Sequence, residues 1–181
     1  MKKKCRKIFN RLETQRKENI SQYRSLTIEQ LQYNPEPAEW NLLQVLRHVV
    51  TAEKQSLILI QRSLNREESI AKTGIGSAVR HLLLKLALTL PMKFKAPKIA
   101  EVSEEYPDFE EMIDEWQQVR EEIREIIEKY SEEMLGKEIY RHPRAGYLNM
   151  KQALEFMEIH ISHHQKQMDR IKKSQAGFPS E

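Results

Sequence analysis

Three of the six histidines lie close together near the carboxyl end of the sequence, at His160, His163 and His164. Residues four apart project from the same side of a helix, which is the spacing that two imidazoles need to bind one metal ion. His160 and His164 have this spacing. The sequence therefore offers a candidate metal site, provided that this segment is helical and that a third ligand comes from another helix.

The apolar pattern around these histidines predicts which of them face the protein interior. At about 100° per residue, one side of a helix starting near residue 150 is apolar. The members of this stripe are Met150, Ala153, Met157, Ile161, His164, Met168 and Ile171. His160 falls inside the stripe and His163 at its edge. We therefore expect His160 and His164 to point into the core and His163 to point towards solvent.

Two interpretations of this histidine pair remain open. Each imidazole could be a neutral core group with its own hydrogen-bond partner, which requires two separate partners on a face of Met, Ile and Ala. Alternatively, the pair binds a metal together with His48, which lies on the flank of an earlier apolar stripe beside Val45 and Ala52. Three imidazoles without a thiolate suit Zn²⁺ or Ni²⁺ and leave a coordination position open. A water bound there would lose a proton near neutral pH and become a nucleophile.

Two polar residues on the same predicted helices are candidates for supporting roles. Glu53, five residues after His48, could accept a hydrogen bond from a ligand or act as a general base. Its structural alternatives are a surface position or an ion pair within its own helix. Gln167 follows His164 by one helical turn and could orient a ligand or substrate. No glycine-rich phosphate loop or nucleophile-elbow serine motif competes with the histidines as a catalytic centre.

The loop before the last helix contributes further candidates. His142 could reach the mouth of the pocket and act there as a catalytic group. Arg144 and Tyr147, together with Arg141, could bind an anionic group of a substrate or cofactor.

Composition predicts a single helical domain over residues 1–181. The chain contains only 5 glycines and 7 prolines, 39% hydrophobic residues and 31% charged residues. Its net charge of +3 is too small to indicate a nucleic-acid partner. The single cysteine, Cys5, fits a reducing cytoplasm, and no apolar stretch is long enough for a bilayer span. We expect a cytoplasmic protein with frayed termini at 1–7 and 174–181, which makes Cys5 a free thiol rather than a nucleophile.

Start and stop signals divide the chain into five main helices. The predicted helices cover residues 5–24, 41–61, 78–90, 108–130 and 150–173. Asn41 with Gln44, and Asp108 with Glu111, form capping-box patterns, and Ser77 is the expected cap of the third helix. Loops are expected at 64–76 and 136–149, and an extended segment at 91–107.

Charge is segregated between two neighbouring segments. Residues 71–100 contain six basic residues and no acid, whereas residues 101–133 are strongly acidic. The two segments could form adjacent faces that partly neutralise one another. Residues 78–98 could instead contact a membrane surface or an acidic partner. Because their basic residues do not form one polar face, we expect no membrane contact.

Two segments resemble signatures of the DinB-like, or YfiT-type, superfamily of metal-dependent hydrolases. The first resembles a "P…W-S…H" signature, with Asn41 where the family has Ser or Thr, and runs through Pro35, Trp40, Asn41 and His48. The second is similar to an "HP…G…H-x-x-H-H-x-x-Q" signature and runs through His142, Pro143, Gly146, His160, His163, His164 and Gln167. The resemblance covers roughly residues 8–172.

The resemblance implies an all-α fold of the DinB/YfiT type, an antiparallel four-helix bundle. This chain departs from the family pattern by an additional helix and a long, basic insertion at residues 62–98, between helix 2 and the penultimate helix. It also implies a homodimer and a metal held by His48, His160 and His164. Characterised relatives include thiol S-transferases that use bacillithiol or related low-molecular-weight thiols, in which the metal binds the thiol as thiolate. The implied activity is therefore hydrolysis or thiol transfer on a small-molecule substrate. The rival hypothesis is a non-enzymatic, dimeric stress or interaction protein with a structural or vestigial metal site.

Overall fold

The computed structural model describes residues 1–36, 39–65, 70–89 and 108–175, which are mainly helical. These residues form seven helices and one two-stranded hairpin. The helices are α1 (Lys2–Arg24), α2 (Ile28–Gln32), α3 (Leu42–Leu64), α4 (Ile75–Thr89), α5 (Phe109–Lys129), α6 (Glu132–Leu135) and α7 (Met150–Gln175). The strands are β1 (Tyr140–His142) and β2 (Gly146–Leu148).

Each of the four longest helices packs against two of the others. Helix α1 contacts α5 and α7, and α3 contacts the same two helices. Their apolar stripes face one another and form the core, which includes Leu12, Leu46, Trp116 and Met157. Helix α4 packs outside this group, on α7 and β2.

The predicted caps of α3 and α5 are confirmed. At the start of α3, Asn41 Oδ1 accepts from the Gln44 backbone N–H at 2.9 Å, and Gln44 Oε1 accepts from the Asn41 N–H at 3.0 Å. At the start of α5, Asp108 accepts from two backbone amides of the first turn. These bonds satisfy amide groups that have no partner within the helix, so they fix where each helix begins.

The prediction of a frayed N-terminus over residues 1–7 is wrong. Helix α1 begins at Lys2, and the Met1 amino group lies 3.0 Å from Glu132 Oε2. Cys5 is fully buried, and burial raises the pKa of its thiol to about 11. From the sequence alone, the basic run at residues 2–7 resembles a solvent-exposed segment. In the folded protein, acidic residues at the end of α5 and in α6 compensate its charge. Cys5 is therefore an inert core thiol.

The structure differs from two further predictions about helix ends. Helix α4 begins at Ile75, and Ser77 does not cap it. Instead, the buried Ser77 hydroxyl donates to Gln152 Oε1 at 2.7 Å and connects α4 to α7. Helix α7 continues to Gln175, so the first two residues of the expected C-terminal fray are helical. Residues 176–181 and the extended segment expected at 91–107 lie outside the described residues.

The expected loop at 136–149 contains the hairpin of β1 and β2. The strands are antiparallel, with Tyr140 opposite Leu148 and His142 opposite Gly146. Gly146 has a φ of 71°, a left-handed conformation that favours glycine at the turn. Strands of three residues are too short to show an alternating pattern in the sequence, which is why the hairpin was not predicted.

None of the described helices combines the length and the apolar character that crossing a bilayer requires.

Candidate metal centre

The structure brings His48, His160 and His164 together. His48 comes from α3, and the other two come from α7. The Nε2 atom of His160 lies 3.3 Å from that of His48 and 3.2 Å from that of His164. One ligand nitrogen from each of the three side chains lies within 4.8 Å of the others, and all three residues are buried. Three donor atoms therefore converge on one point between two helices.

Helix periodicity and capping explain this convergence. The Asn41 cap sets the start of α3, and His48 follows two turns later on the side that packs against α7. On α7, the four-residue spacing places His160 and His164 one above the other. His163 is half-buried and is not part of the cluster.

Burial favours the neutral form of the two imidazoles on α7. It lowers the pKa of His164 to about 3, with a further contribution from the neighbouring His48. Burial also holds the pKa of His160 well below its usual value, and the adjacent histidines act in the same direction. A neutral imidazole has one N–H and one lone pair, so each of these rings offers one nitrogen to a Lewis acid.

Gln167 determines which nitrogen His164 offers. The Nδ1 atom of His164 lies 3.0 Å from Gln167 Oε1. An amide oxygen only accepts hydrogen bonds, so Nδ1 carries the proton and the Nε2 lone pair faces the cluster. This hydrogen bond supports the orienting role considered for Gln167.

The donor set suits a divalent cation. Imidazoles without a thiolate are ligands that borderline ions such as Zn²⁺ and Ni²⁺ accept. The Nε2 separations of 3.3 and 3.2 Å are short enough for these nitrogens to share one ion. Three protein ligands would leave a coordination position open for another molecule.

Aromatic rings line the cluster. The Trp40 ring lies 5.1 Å from the His48 ring, and the Phe156 ring stacks on His160 at 5.4 Å. Such apolar walls lower the local dielectric and strengthen any interaction between the imidazoles and a cation. Sequence analysis named Trp40 only as part of the first signature and did not single out Phe156, which lies four residues before His160.

The Phe156 ring lies between His142 and the cluster, and His142 forms hydrogen bonds within the hairpin turn. Its Nδ1 accepts from the backbone N–H groups of Arg144 at 3.2 Å and Ala145 at 3.0 Å. Its ring packs edge-on against Phe156 at 4.5 Å. Burial, with a smaller contribution from Arg144, lowers the pKa of His142 to about 4. The remaining nitrogen, Nε2, therefore carries a proton and can only donate.

The structure does not bring Tyr147 to the histidines. Tyr147 is 46% exposed, and its ring lies 5.8 Å from the guanidinium of Arg141, opposite it on the hairpin. Because side chains alternate along a strand, this pair lies on the other face from His142 and Tyr140. Arg144 is exposed in the turn beside His142.

Glu53 is a buried ion-pair residue directed at α5. Its Oε2 accepts from Trp116 Nε1 at 3.0 Å and from Arg120 Nε at 2.7 Å, while its Oε1 accepts from Arg120 Nη2 at 2.6 Å. Both alternatives considered for it, a surface position and an ion pair within its own helix, are wrong. Sequence reasoning missed its partner Arg120, although a basic residue one turn after Trp116 on the apolar side of α5 was the available signal.

Comparison with known proteins identifies the class. A sequence profile of the DinB superfamily matches residues 11–168, so the chain belongs to the DinB superfamily, as its two motifs predicted. Among individual proteins, the chain is 27% identical over 166 residues to "Uncharacterized protein YuaE" of Bacillus subtilis (strain 168). The alignment covers 92% of this chain and 96% of YuaE. No solved structure matches the chain significantly.

Proposed function

We propose that His48, His160 and His164 bind one Zn²⁺ ion and that the protein is a metal-dependent enzyme. The observation that carries this proposal is the convergence of the imidazole nitrogens, with Nε2 separations of 3.3 and 3.2 Å in a buried cluster. Membership of the DinB superfamily supports it. Ni²⁺ is the other ion that the donor set admits.

The proposed reaction is hydrolysis or transfer of a low-molecular-weight thiol, such as bacillithiol, on a small substrate. When bound, the ion supplies Lewis acidity that converts a water or a thiol into a nucleophile. Gln167 holds the imidazole of His164 in place, and Trp40 and Phe156 pack against the imidazoles of His48 and His160. His142 Nε2–H is available to donate to a substrate oxygen near Phe156. Exposed Arg144 lies beside it and suits a substrate with an anionic group.

We also propose how the four long helices are arranged and in which form the protein occurs. The pairwise contacts of α1, α3, α5 and α7 suit an antiparallel four-helix bundle, with α4 as the additional helix. A homodimer in the cytoplasm remains the expected form of the protein.

One observation favours the rival hypothesis of a structural metal site. Glu53, the candidate general base, accepts hydrogen bonds from Arg120, and the acceptor nitrogen of His142, Nδ1, accepts hydrogen bonds from the hairpin turn, so neither group is placed to take a proton from a water or thiol. A protein of this second kind would bind the ion and stabilise its fold without turnover.

Substitution of cobalt for the bound ion distinguishes water from thiol as the activated group. We expect the cobalt-loaded protein to develop a sulfur-to-cobalt charge-transfer band when bacillithiol or a simple analogue is added, because a coordinated thiol loses its proton. Electronic absorption spectroscopy measures this band directly. Hydrolytic turnover without the band would identify water as the nucleophile. Neither a band nor turnover of an ester and thiol-acceptor panel would contradict the enzymatic proposal and leave the structural site.

Replacement of Gln167 with alanine should weaken metal binding about 10–100-fold, because it removes the acceptor that fixes the His164 tautomer. Competition with a chromophoric chelator measures the affinity. Q167E retains an acceptor at the same place and should bind metal at least as tightly as the native protein. Q165A removes a glutamine that bonds to Tyr23 and Asp169 instead, so it should leave the affinity unchanged. Equal affinities for all variants would contradict the orienting role.

A further inference from the structure

A groove of about 370 Å³ lies between α1 and α5. Polar side chains of both helices form its walls, and the buried residues Phe9 and Ile127 lie at its base. Its volume falls within the range of pockets that bind small molecules, about 300–1,000 Å³. The residues that line it include no member of the histidine cluster, which α3 and α7 provide. A ligand in this groove therefore lies apart from the metal centre.

Arg120, which lines the base of the groove, has a donor nitrogen without an acceptor. Its Nε and Nη2 atoms donate to Glu53 on α3. Its Nη1 atom is buried and has no hydrogen-bond partner among the described residues. Glu13 Oε1 lies 3.8 Å from Nη1, which is too far for a hydrogen bond. Because a buried charged donor without an acceptor costs free energy, an acceptor from a ligand would be stabilising at this position.

The charges of the groove that are still unpaired are positive. Each carboxylate that lines it already accepts a hydrogen bond from a neighbouring side chain: Glu13 from Arg16, Glu121 from Gln117 and Glu128 from Arg6. Lys17 and Arg124 also line the groove, are exposed and have no ion-pair partner among the described residues. Two unpaired cations and a buried guanidinium N–H favour an anion as the ligand, since guanidinium groups bind carboxylates and phosphates with strong, directed hydrogen bonds.

We propose that this groove binds a small organic anion through its carboxylate or phosphate group. Two ion pairs set an antiparallel register between α1 and α5: Arg6 with Glu128, and Arg24 with Glu110. In this register Lys17 lies about 5 Å along the groove to one side of Arg120, and Arg124 lies about 6 Å to the other side. The long side chains of Lys17 and Arg124 span these distances, so all three cations can contact one anionic group at Nη1.

Two further features of the groove select among anions. Phe9 and Ile127 at its base favour a ligand that joins an anionic group to an apolar body over a free inorganic ion. The Glu13 carboxylate, 3.8 Å from Nη1 and 21% exposed, places a negative charge beside the bound anionic group. Like charges at this separation repel each other, so Glu13 weakens the site. Removal of the Glu13 charge should therefore tighten binding, an effect opposite to that of removing the cations.

Calorimetric titration of the full-length protein tests this proposal. The probes are 3-phenylpropionate and phenyl phosphate, which separate the two anionic groups, and 3-phenylpropan-1-ol as their uncharged counterpart. We expect at least one anion to bind with a dissociation constant of about 1 mM or below, and the alcohol to bind far more weakly. K17Q/R124Q should weaken binding of that anion about tenfold, because it removes two charged contacts. E13Q should tighten binding about threefold or more, because the repelling carboxylate is lost.

K7Q/R170Q is the matched control, since it removes one exposed lysine and one exposed arginine that do not line the groove. It should bind the anion as the native protein does, and circular dichroism verifies that all variants are folded. Equal affinities of K17Q/R124Q and K7Q/R170Q would overturn the proposal, as would binding of neither anion or equal binding of the alcohol. The titration is repeated after chelation, because loss of binding on metal removal would place the anion at the metal centre and overturn the assignment to the groove.

Discussion

Replacement of His160 with alanine is expected to leave the purified protein without stoichiometric metal. His160 Nε2 is the nitrogen for which close separations to both other imidazoles are seen, 3.3 Å to His48 and 3.2 Å to His164. Groups that only orient a metal ligand typically contribute 10–100-fold to affinity, so loss of a ligand itself should cost more than about 100-fold. Elemental analysis of the purified protein measures the metal content, and a chelator titration measures the affinity.

His163→Ala is the matched control for this substitution. His163 lies on the same helix next to His164 but outside the cluster, so the variant should retain full metal content. Added Zn²⁺ should raise the melting temperature of the native protein and of H163A, but not that of H160A, because a ligand stabilises only a state that binds it. Metal content in H160A equal to that of the native protein would refute the ligand assignment. A native protein that binds no metal and ignores chelators would refute the site as a whole.

The histidine trio could be found from sequence because local rules determine it. The spacing of His160 and His164 depends only on the helical repeat, and the Asn41 cap fixes the turn on which His48 lies. What brings α3 against α7 is tertiary packing, which periodicity does not specify. The motif resemblance supplied that step, since it assigned His48 from the first signature and His160 and His164 from the second to one metal site.

Other features depended on long-range contacts and could not be predicted. The N-terminal run is basic in isolation, and its compensation by Glu132 and Glu128 comes from residues more than 120 positions away. The ion pair of Glu53 was missed because its partner Arg120 lies on a different helix, so only a supporting role at the metal site, a surface position or a partner within its own helix was considered. The sequence also did not show that Leu82 and Leu83 face solvent. Hydrophobic periodicity identifies the apolar side of α4 but does not reveal which side contacts α7.

The Glu53–Arg120 pair leads to the largest expected effect on stability. Both residues are 1% exposed, and the carboxylate accepts two hydrogen bonds from the guanidinium and one from Trp116. Replacement of Glu53 with alanine leaves the Arg120 charge buried without this partner, which should lower the free energy of unfolding by about 3–5 kcal/mol. Chemical denaturation of the native protein and the variant under the same metal saturation measures the difference.

Two comparisons separate burial of the charge from the mere loss of an ion pair. Glu115 on α5 also pairs across to α3, with Arg47 and Lys54, but it is 21% exposed and solvent screens it. E115A should therefore cost only about 0–1 kcal/mol. The double variant E53L/R120M removes both buried charges and should recover most of the stability, because apolar residues of similar volume often replace a buried pair without loss. If E53A and E115A cost the same, the pair between α3 and α5 does not act as a buried charge, and the packing of these two helices must rest on their apolar stripes alone.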